Sequence, residues 1–337
     1  MKEIKIGAIN FIVSWEGRDV DERYIVYDVF LNSLNLSNKY KYVYIDDPYN
    51  NECDIIFYSL WNNLDNLKKC KGNPIFVYYT HEYLCAGADE NLLEKLGNLN
   101  QKFNQNIYDN EYNTYEYGNY VLNEYKLNNY SLSFNKDSKT NLYYPWWLMD
   151  YHMFYNKYKV CDRSNIIKNK FCVFISSHEK FYNAKVRIDF VKELNKYKTV
   201  ICPGNALHNT KDFYLPYLDD IVHEYCKKFK FYVAFENAKS CKDINYVTEK
   251  LLYGWKYGCV PLYWGDNRNL DEYFNKEAYI DLSDMTQEQM INKVIELDKD
   301  DELYKYHLNQ YLFKDKNINY YELFGDRLIN FIENIIN

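Results

Sequence analysis

Residues 235–265, FENAKSCKDINYVTEKLLYGWKYGCVPLYWG, decide how the rest of the chain is read. They begin at the end of a strand-like run, FYVAF (231–235). Leu251, Leu252 and Trp255 then recur at helical spacing and Gly258 is a stop, so the spacing predicts a helix with Thr248 as its N-cap. VPLYWG (260–265) supplies the next strand. One residue stands out. Lys250 falls in the first turn of that helix, where partial positive charge favours Glu249 and mildly disfavours a lysine. Either its ammonium points into water or an anion lies between it and the helix end.

The same rhythm runs outward in both directions. IKIGAINF, YKYVYID, CDIIFYSLW and NPIFVYYTHE read as short strands in the first half, with the amphipathic stretch ERYIVYDVFLNSL between the first two. A second alternating half starts at NKFCVFISS (169–177) and runs through AKVRIDFVKELNKY, TVICPG and YLPYLDDIVHEYCKKF into FYVAFEN. Strands alternating with helices predict an α/β fold of parallel, doubly wound sheets. Two Rossmann-like domains facing a cleft, the GT-B type, are the expected architecture. The boundaries expected are 1–160 and 161–315, with a last helix in 316–337 returning towards the first domain. Residues 98–143 are polar and tyrosine-rich; so long a structureless loop is uncommon, and partial order lining a cleft is expected.

Bulk properties narrow the function. The 337 residues exceed one typical core. With 41 basic and 48 acidic side chains the net charge is −7, which argues against nucleic acid or an anionic membrane as partner. Any phosphate must be held locally. Nine cysteines without a CxxC pair read as buried free thiols of a reducing compartment. The start, MKEIKIGAINFIVSW, has charges at 2, 3 and 5 and reads as neither signal peptide nor membrane anchor, so a soluble, cytoplasmic protein is expected. The 39 tyrosines fit either AT-rich coding or tyrosine-lined sugar subsites.

The quoted stretch resembles the signature of the α-1,3/4-fucosyltransferases, glycosyltransferase family 10: FEN, a short spacer, YVTEK, then a Gly-x-x-Pro strand ending in Gly. KFCVFISSHEKFYNAKVRIDFVKELNKYKTVICPGNALHNT is similar to the family's preceding region, and CDIIFYSLW and IFVYYTHE to its acceptor-domain strands. The resemblance implies an N-terminal acceptor-binding domain, a C-terminal GDP-fucose-binding domain, and inverting transfer of L-fucose from GDP-fucose. Its implied acceptor hydroxyl is the 3-hydroxyl of GlcNAc or glucose in an N-acetyllactosamine- or lactose-type oligosaccharide.

Residue by residue, Glu82 matches the catalytic base, directly after IFVYY. His81 and Tyr83 replace the family's usual glycine and asparagine and are the acceptor-side candidates. Arg187 and Lys250 match the diphosphate-binding cations, which supplies an anion for the helix start. Tyr246 and Glu249 match donor contacts, although Glu249 also suits a helix's first turn on charge alone. Glu236 and Asn237 either shape the fucose end of the pocket or brace a buried loop. Gly204 lies in the donor-side turn after TVICP.

DVD (19–21) and DKD (298–300) resemble a manganese-holding pair, but neither follows an apolar strand and both read as solvated surface charge. No cofactor is expected to be required, with two cations for the leaving group and a divalent metal at most stimulatory. Two other readings stay open: a GT-B transferase using another nucleotide-sugar, and a nucleotide-sugar- or glycan-binding protein without turnover.

Overall fold

The apolar runs become parallel strands in two sheets. The computed structural model describes residues 1–15, 18–59, 64–79, 130–152, 163, 167–177, 179, 185–210, 219–237, 239 and 245–337. In chain order the strands of the first half are β1 (Lys2–Ile9), β2 (Ile12–Trp15), β3 (Arg18–Asp21), β4 (Tyr40–Ile45), β5 (Ile55–Tyr58), β6 (Ile75–Tyr79), β7 (Tyr130–Ser133) and β8 (Asn141–Tyr143). Those of the second are β9 (Lys170–Val173), β10 (Val200–Ile201), β11 (Phe229–Phe235), β12 (Val260–Trp264) and β13 (Ile280–Asp281). The helices are α1 (Leu31–Leu34), entered from a π-helical stretch Ile25–Phe30, α2 (Lys185–Tyr197), α3 (Asp219–Cys226) and α4 (Lys250–Lys256). They continue with α5 (Leu270–Tyr273), α6 (Gln287–Lys299), α7 (Asp301–Leu308) and α8 (Tyr320–Ile336).

The chain divides into two units. The described part of the first comprises 1–79, 130–145 and 318–337. Its sheet runs β4-β1-β5-β6-β7-β8, every pairing parallel. Phe30 anchors the entry to α1: its ring lies 5.1 Å from Phe57 and 5.4 Å from both Tyr79 and Tyr144. α8 belongs to this unit and buries Phe324, Leu328, Phe331 and Ile332. Its ends are pinned by polar contacts, with Tyr321 donating to the Val29 carbonyl (3.0 Å) and Ser37 to Glu333 (2.5 Å). The polar stretch contributes two of the unit's strands, β7 and β8, while its residues 98–129 lie outside the described ones. An antiparallel β2–β3 hairpin, which the sequence reading did not anticipate, carries DVD.

The second unit, 146–317 in its described part, has the sheet order β10-β9-β11-β12-β13, all parallel. Numbered within the unit, this is 2-1-3-4-5. Connections leave β9 and β11 in opposite directions, so the crevice for a ligand opens at the carboxyl ends of those two strands. Burial along β11 explains why its residues 231–235 read as a continuous apolar run. Phe231, Val233 and Phe235 join the core formed with α2 and α6, whereas Tyr232 and Ala234 join the cluster containing Cys226 and Tyr257. Each such fully buried large side chain contributes about 1.5–3 kcal/mol.

α4 buries Leu251, Leu252 and Trp255, and Gly258 ends it at a φ of 77°. Its start departs from the expectation. Glu249 occupies the N-cap position without a side-chain cap bond, because the Thr248 hydroxyl is committed to Glu236.

DKD also departs. Asp298 is not solvated: its side chain is 3% exposed, paired with Lys230 at 3.0 Å and with Lys198, and Tyr197 donates to it. Burial pushes this carboxyl up, but hydrogen bonds from Lys198, Lys230 and Tyr197 outweigh it and hold it below the ordinary carboxylate range. Asp300 meanwhile caps α7, accepting from the Glu302 and Leu303 amides. Asp298→Ala is expected to cost about 1–3 kcal/mol, since Lys230 would lose the buried carboxylate while keeping Asp301 at 3.5 Å and the carbonyl of residue 298 at 3.0 Å. With a lowered folded pKa, the carboxylate's contribution is present above the unfolded value, near 3.9, and is lost as pH falls through the folded one. Urea unfolding of wild type and variant at pH 7 and pH 3 checks this: the gap should narrow at the lower pH.

The described cysteines are free thiols, with Cys53, Cys172, Cys202, Cys226 and Cys259 buried and Cys70 partly so. Among the described residues no helix is long and apolar enough to cross a membrane.

Candidate active site

β11 stops at Phe235, and the next two residues each engage a cation from a different helix. Asn237 Oδ1 accepts from Arg187 Nη1 at 2.7 Å. Arg187 is the third residue of α2 and is only 6% exposed, which a guanidinium tolerates when hydrogen-bonded.

Glu236 has no exposed surface. Its Oε1 accepts the Thr248 amide and its Oε2 the Thr248 hydroxyl, both at 2.7 Å. Lys250 Nζ lies 3.5 Å from Oε2, 3.0 Å from Thr248 Oγ1 and 3.3 Å from Glu249 Oε1. Burial pushes the Glu236 carboxyl above the ordinary range; Lys250 pulls it back, Glu249 pushes it further up, and the Thr248 bonds lower it. In this structure, then, Lys250 neither points simply into water nor waits at a bare helix end. It rests against two carboxylates and a hydroxyl, with 22% of its side chain exposed. α4 has seven residues, so its axial dipole is small and the ammonium itself is the charge that counts.

Tyr246 is fully buried, as are Val247 and Thr248 to within 2%. The segment entering α4 is therefore held from both sides. Gly204 lies in the turn after β10, where a Cβ would come within 2.7 Å of the Ser176 carbonyl oxygen. The Ala206 amide donates to that same oxygen at 2.9 Å, stitching the turn after β10 to the end of β9. Gly204→Ala forces the two backbones apart at the crevice. The expected result is a loss of about 2 kcal/mol in stability, read by denaturant unfolding.

Some of the site had no signature in the sequence. Lys239 donates to the Ser283 carbonyl (2.9 Å) and to Asp284 (2.6 Å), and Asn267 bridges Asp281 (2.9 Å) and Asp284 (2.7 Å). These contacts tie together the carboxyl ends of β11, β12 and β13. The Lys239 hydrogen bond, then that of Asn267, holds the Asp284 carboxyl low. No spacing rule joins partners this far apart, whereas the Thr248–Glu236 bond was obscured because threonine before a helix reads as a cap.

A cavity of about 310 Å³, at the small end for ligand pockets, opens along α2 and is walled mainly by Val186, Phe190, Trp264, Met285 and Met290. None of the matched polar residues lines it. Among the described residues no group of three or more His, Cys, Asp or Glu side chains is placed to hold a metal ion. Glu82, His81 and Tyr83 lie outside the described residues.

A buried guanidinium on Asn237 and a partly exposed ammonium beside Glu236, both tied to the residues that follow β11 at a switch point, suit an anionic group such as a diphosphate. Comparison with known proteins agrees with that chemistry. Residues 165–312 match the family "Glycosyltransferase family 10 (fucosyltransferase) C-term". A GDP-fucose protein O-fucosyltransferase 3 of Xenopus laevis is 38% identical over 128 residues, 35% of this chain and 26% of that protein. An alpha-(1,3)-fucosyltransferase of Helicobacter pylori is 30% identical over 125 residues, 37% of this chain and 24% of that one. The match thus spans about a quarter of either relative's length. A crystal structure of an alpha1,3-fucosyltransferase superposes with a TM-score of 0.65 at 19% identity, covering 100% of this chain and 90% of that one. Another, with GDP, gives 0.64 at 18% identity over 99% and 90%. At these identities the likeness is one of fold, two Rossmann-like units of the GT-B type. Residues 165–312 are thus those of a glycosyltransferase family 10 C-terminal region.

Proposed function

We propose that this chain is an inverting fucosyltransferase that moves L-fucose from GDP-fucose to the 3-hydroxyl of GlcNAc or glucose in a β-galactosyl-type acceptor. The observation that carries the reading is one dipeptide serving two cations: Asn237 holds Arg187 while Glu236 holds the segment that bears Lys250. Both cations then serve the diphosphate of the donor. The domain roles follow, residues 161–315 for donor and 1–160 for acceptor, with 316–337 completing the N-terminal part.

In the reaction the acceptor oxygen attacks the anomeric carbon from the face opposite the diphosphate, so the configuration inverts. The new carbon–oxygen bond forms as the bond to the phosphate oxygen breaks. Glu82 takes the acceptor proton, and GDP leaves with the electron pair. Arg187 and Lys250 meet the negative charge that grows on the departing oxygen, the point at which a fixed cation lowers the barrier most.

A second acceptor class is favoured by one observation: the Xenopus relative, at 38% identity, is named a protein O-fucosyltransferase. Mass spectrometry after incubation with GDP-fucose and either N-acetyllactosamine, lactose or a serine- and threonine-containing peptide separates the two. A deoxyhexose gain on the sugar supports the reading. A gain on the peptide alone replaces the acceptor and keeps the donor. No gain on any acceptor, with GDP-fucose bound and intact, makes the chain a binding protein, while displacement of GDP-fucose by another nucleotide-sugar that is then transferred changes the donor.

A further inference from the structure

We propose that Glu236 is the internal counter-ion of Lys250: its buried carboxylate holds the ammonium while no ligand is bound and gives it up when the donor diphosphate arrives. This rests on the reading above, in which Lys250 binds that diphosphate.

Two features of the geometry carry it. First, Glu236 is wholly buried and both of its oxygens are already occupied by Thr248, so it is shaped to stay in place and not to meet a ligand. Secondly, Lys250 is close enough to feel its charge at 3.5 Å yet also touches Thr248 and the partly exposed Glu249, and keeps 22% of its side chain exposed. The ammonium is held loosely beside a fixed anion. The neighbours of Glu236 are consistent with this. Tyr263 of β12 faces it, but its hydroxyl donates to the Asp266 carbonyl at 3.1 Å, and the Asp266 carboxylate is paired with Arg268 at 2.7 Å. Arg187, beside it in sequence through Asn237, bonds the asparagine. Lys250 is thus the cation set against Glu236, with Glu249 as the second carboxylate.

An ionised Glu236 opposes the incoming phosphates and shares their lysine. A neutral Glu236 leaves Lys250 to them. Burial raises the pH at which this carboxyl ionises, which moves the change towards the working range. Donor affinity should therefore fall as pH rises. The diphosphate diester of GDP-fucose exchanges no proton between pH 5 and 8, so its own charge does not obscure the trend.

The test is calorimetric titration of the full chain with GDP-fucose, without acceptor, from pH 5 to 8, for wild type and Glu236→Gln. The amide keeps the shape, accepts the Thr248 N–H and donates to its hydroxyl oxygen, but carries no charge. Wild-type Kd is expected to rise about tenfold across the range, and Glu236→Gln to bind about tenfold tighter than wild type at pH 8 with a flat profile. A merely structural glutamate would give equal or weaker binding in the variant, which overturns the proposal. Should Glu236→Gln not fold, Glu236→Asp is titrated at pH 8 in its place: the shorter side chain draws the carboxylate away from Lys250, so tighter binding than wild type is expected, and equal or weaker binding overturns the proposal. If wild type binds no GDP-fucose at any pH, the donor reading itself fails and this inference falls with it.

Discussion

Replacing Arg187 by methionine is expected to lower kcat/KM for GDP-fucose by about 10³-fold, with a drop in Tm of only a few degrees. Removing a single preorganised donor from a site that stabilises developing negative charge costs about 10²–10³ in rate, and here a formal charge is lost with it. Binding suffers as well, because the guanidinium is 6% exposed and acts in a poorly screened setting. Arg187→Lys should recover little. Its compact ammonium cannot hold Asn237 and a phosphate oxygen at once in the planar fork of a guanidinium. Lys250→Met should cost somewhat less, about 10²-fold, as that ammonium already shares its charge with Glu236 and Glu249. Steady-state kinetics with varied GDP-fucose give the comparison; an Arg187→Met enzyme within tenfold of wild type would remove this residue from the diphosphate site.

The second large effect is on proton removal. Glu82→Gln is expected to reduce kcat by about 10²–10⁴-fold while the Kd for GDP-fucose stays within about twofold. The two variants should therefore part in their kinetics: the arginine change raises Kd for the donor and the glutamate change does not. The acidic limb of the wild-type pH–rate profile should be absent from Glu82→Gln, since a carboxylate base works only while ionised. A Glu82→Gln enzyme with undiminished kcat would mean that another carboxylate accepts the proton.

The α/β alternation was legible because the second unit carries apolar runs at FCV (171–173), FYVAF (231–235) and VPLYW (260–264), and because α4 shows Leu251, Leu252 and Trp255 with Gly258 behind them. Arg187 and Lys250 stand out in the sequence only through motif resemblance; from charge and spacing alone each is an ordinary helix cation. What the sequence hid is long-range and polar. Asp298 lies in a run that reads as surface charge, yet Lys230 arrives from β11 and Lys198 from beyond α2 to bury it. Thr248 has the chemistry of a cap and is used instead to grip Glu236. Neither choice can be made from neighbours in sequence, because both depend on which strand end lies alongside.

The return of α8 to the first sheet has a consequence for how the chain acquires its structure. The described residues of the second unit all lie between 146 and 317, and the contacts among them can form as soon as that span has been synthesised. The first cannot: Phe324, Leu328 and Ile332 follow the second unit in the chain, and Phe324 packs edge-on against Tyr144, which in turn meets Phe30. The N-terminal strands must wait, partly open, for residues 318–337, a loop closure across the whole of the second unit. Vectorial folding would thus run opposite to the order of synthesis, with the earlier-made unit the later to mature and the more exposed to aggregation on the way.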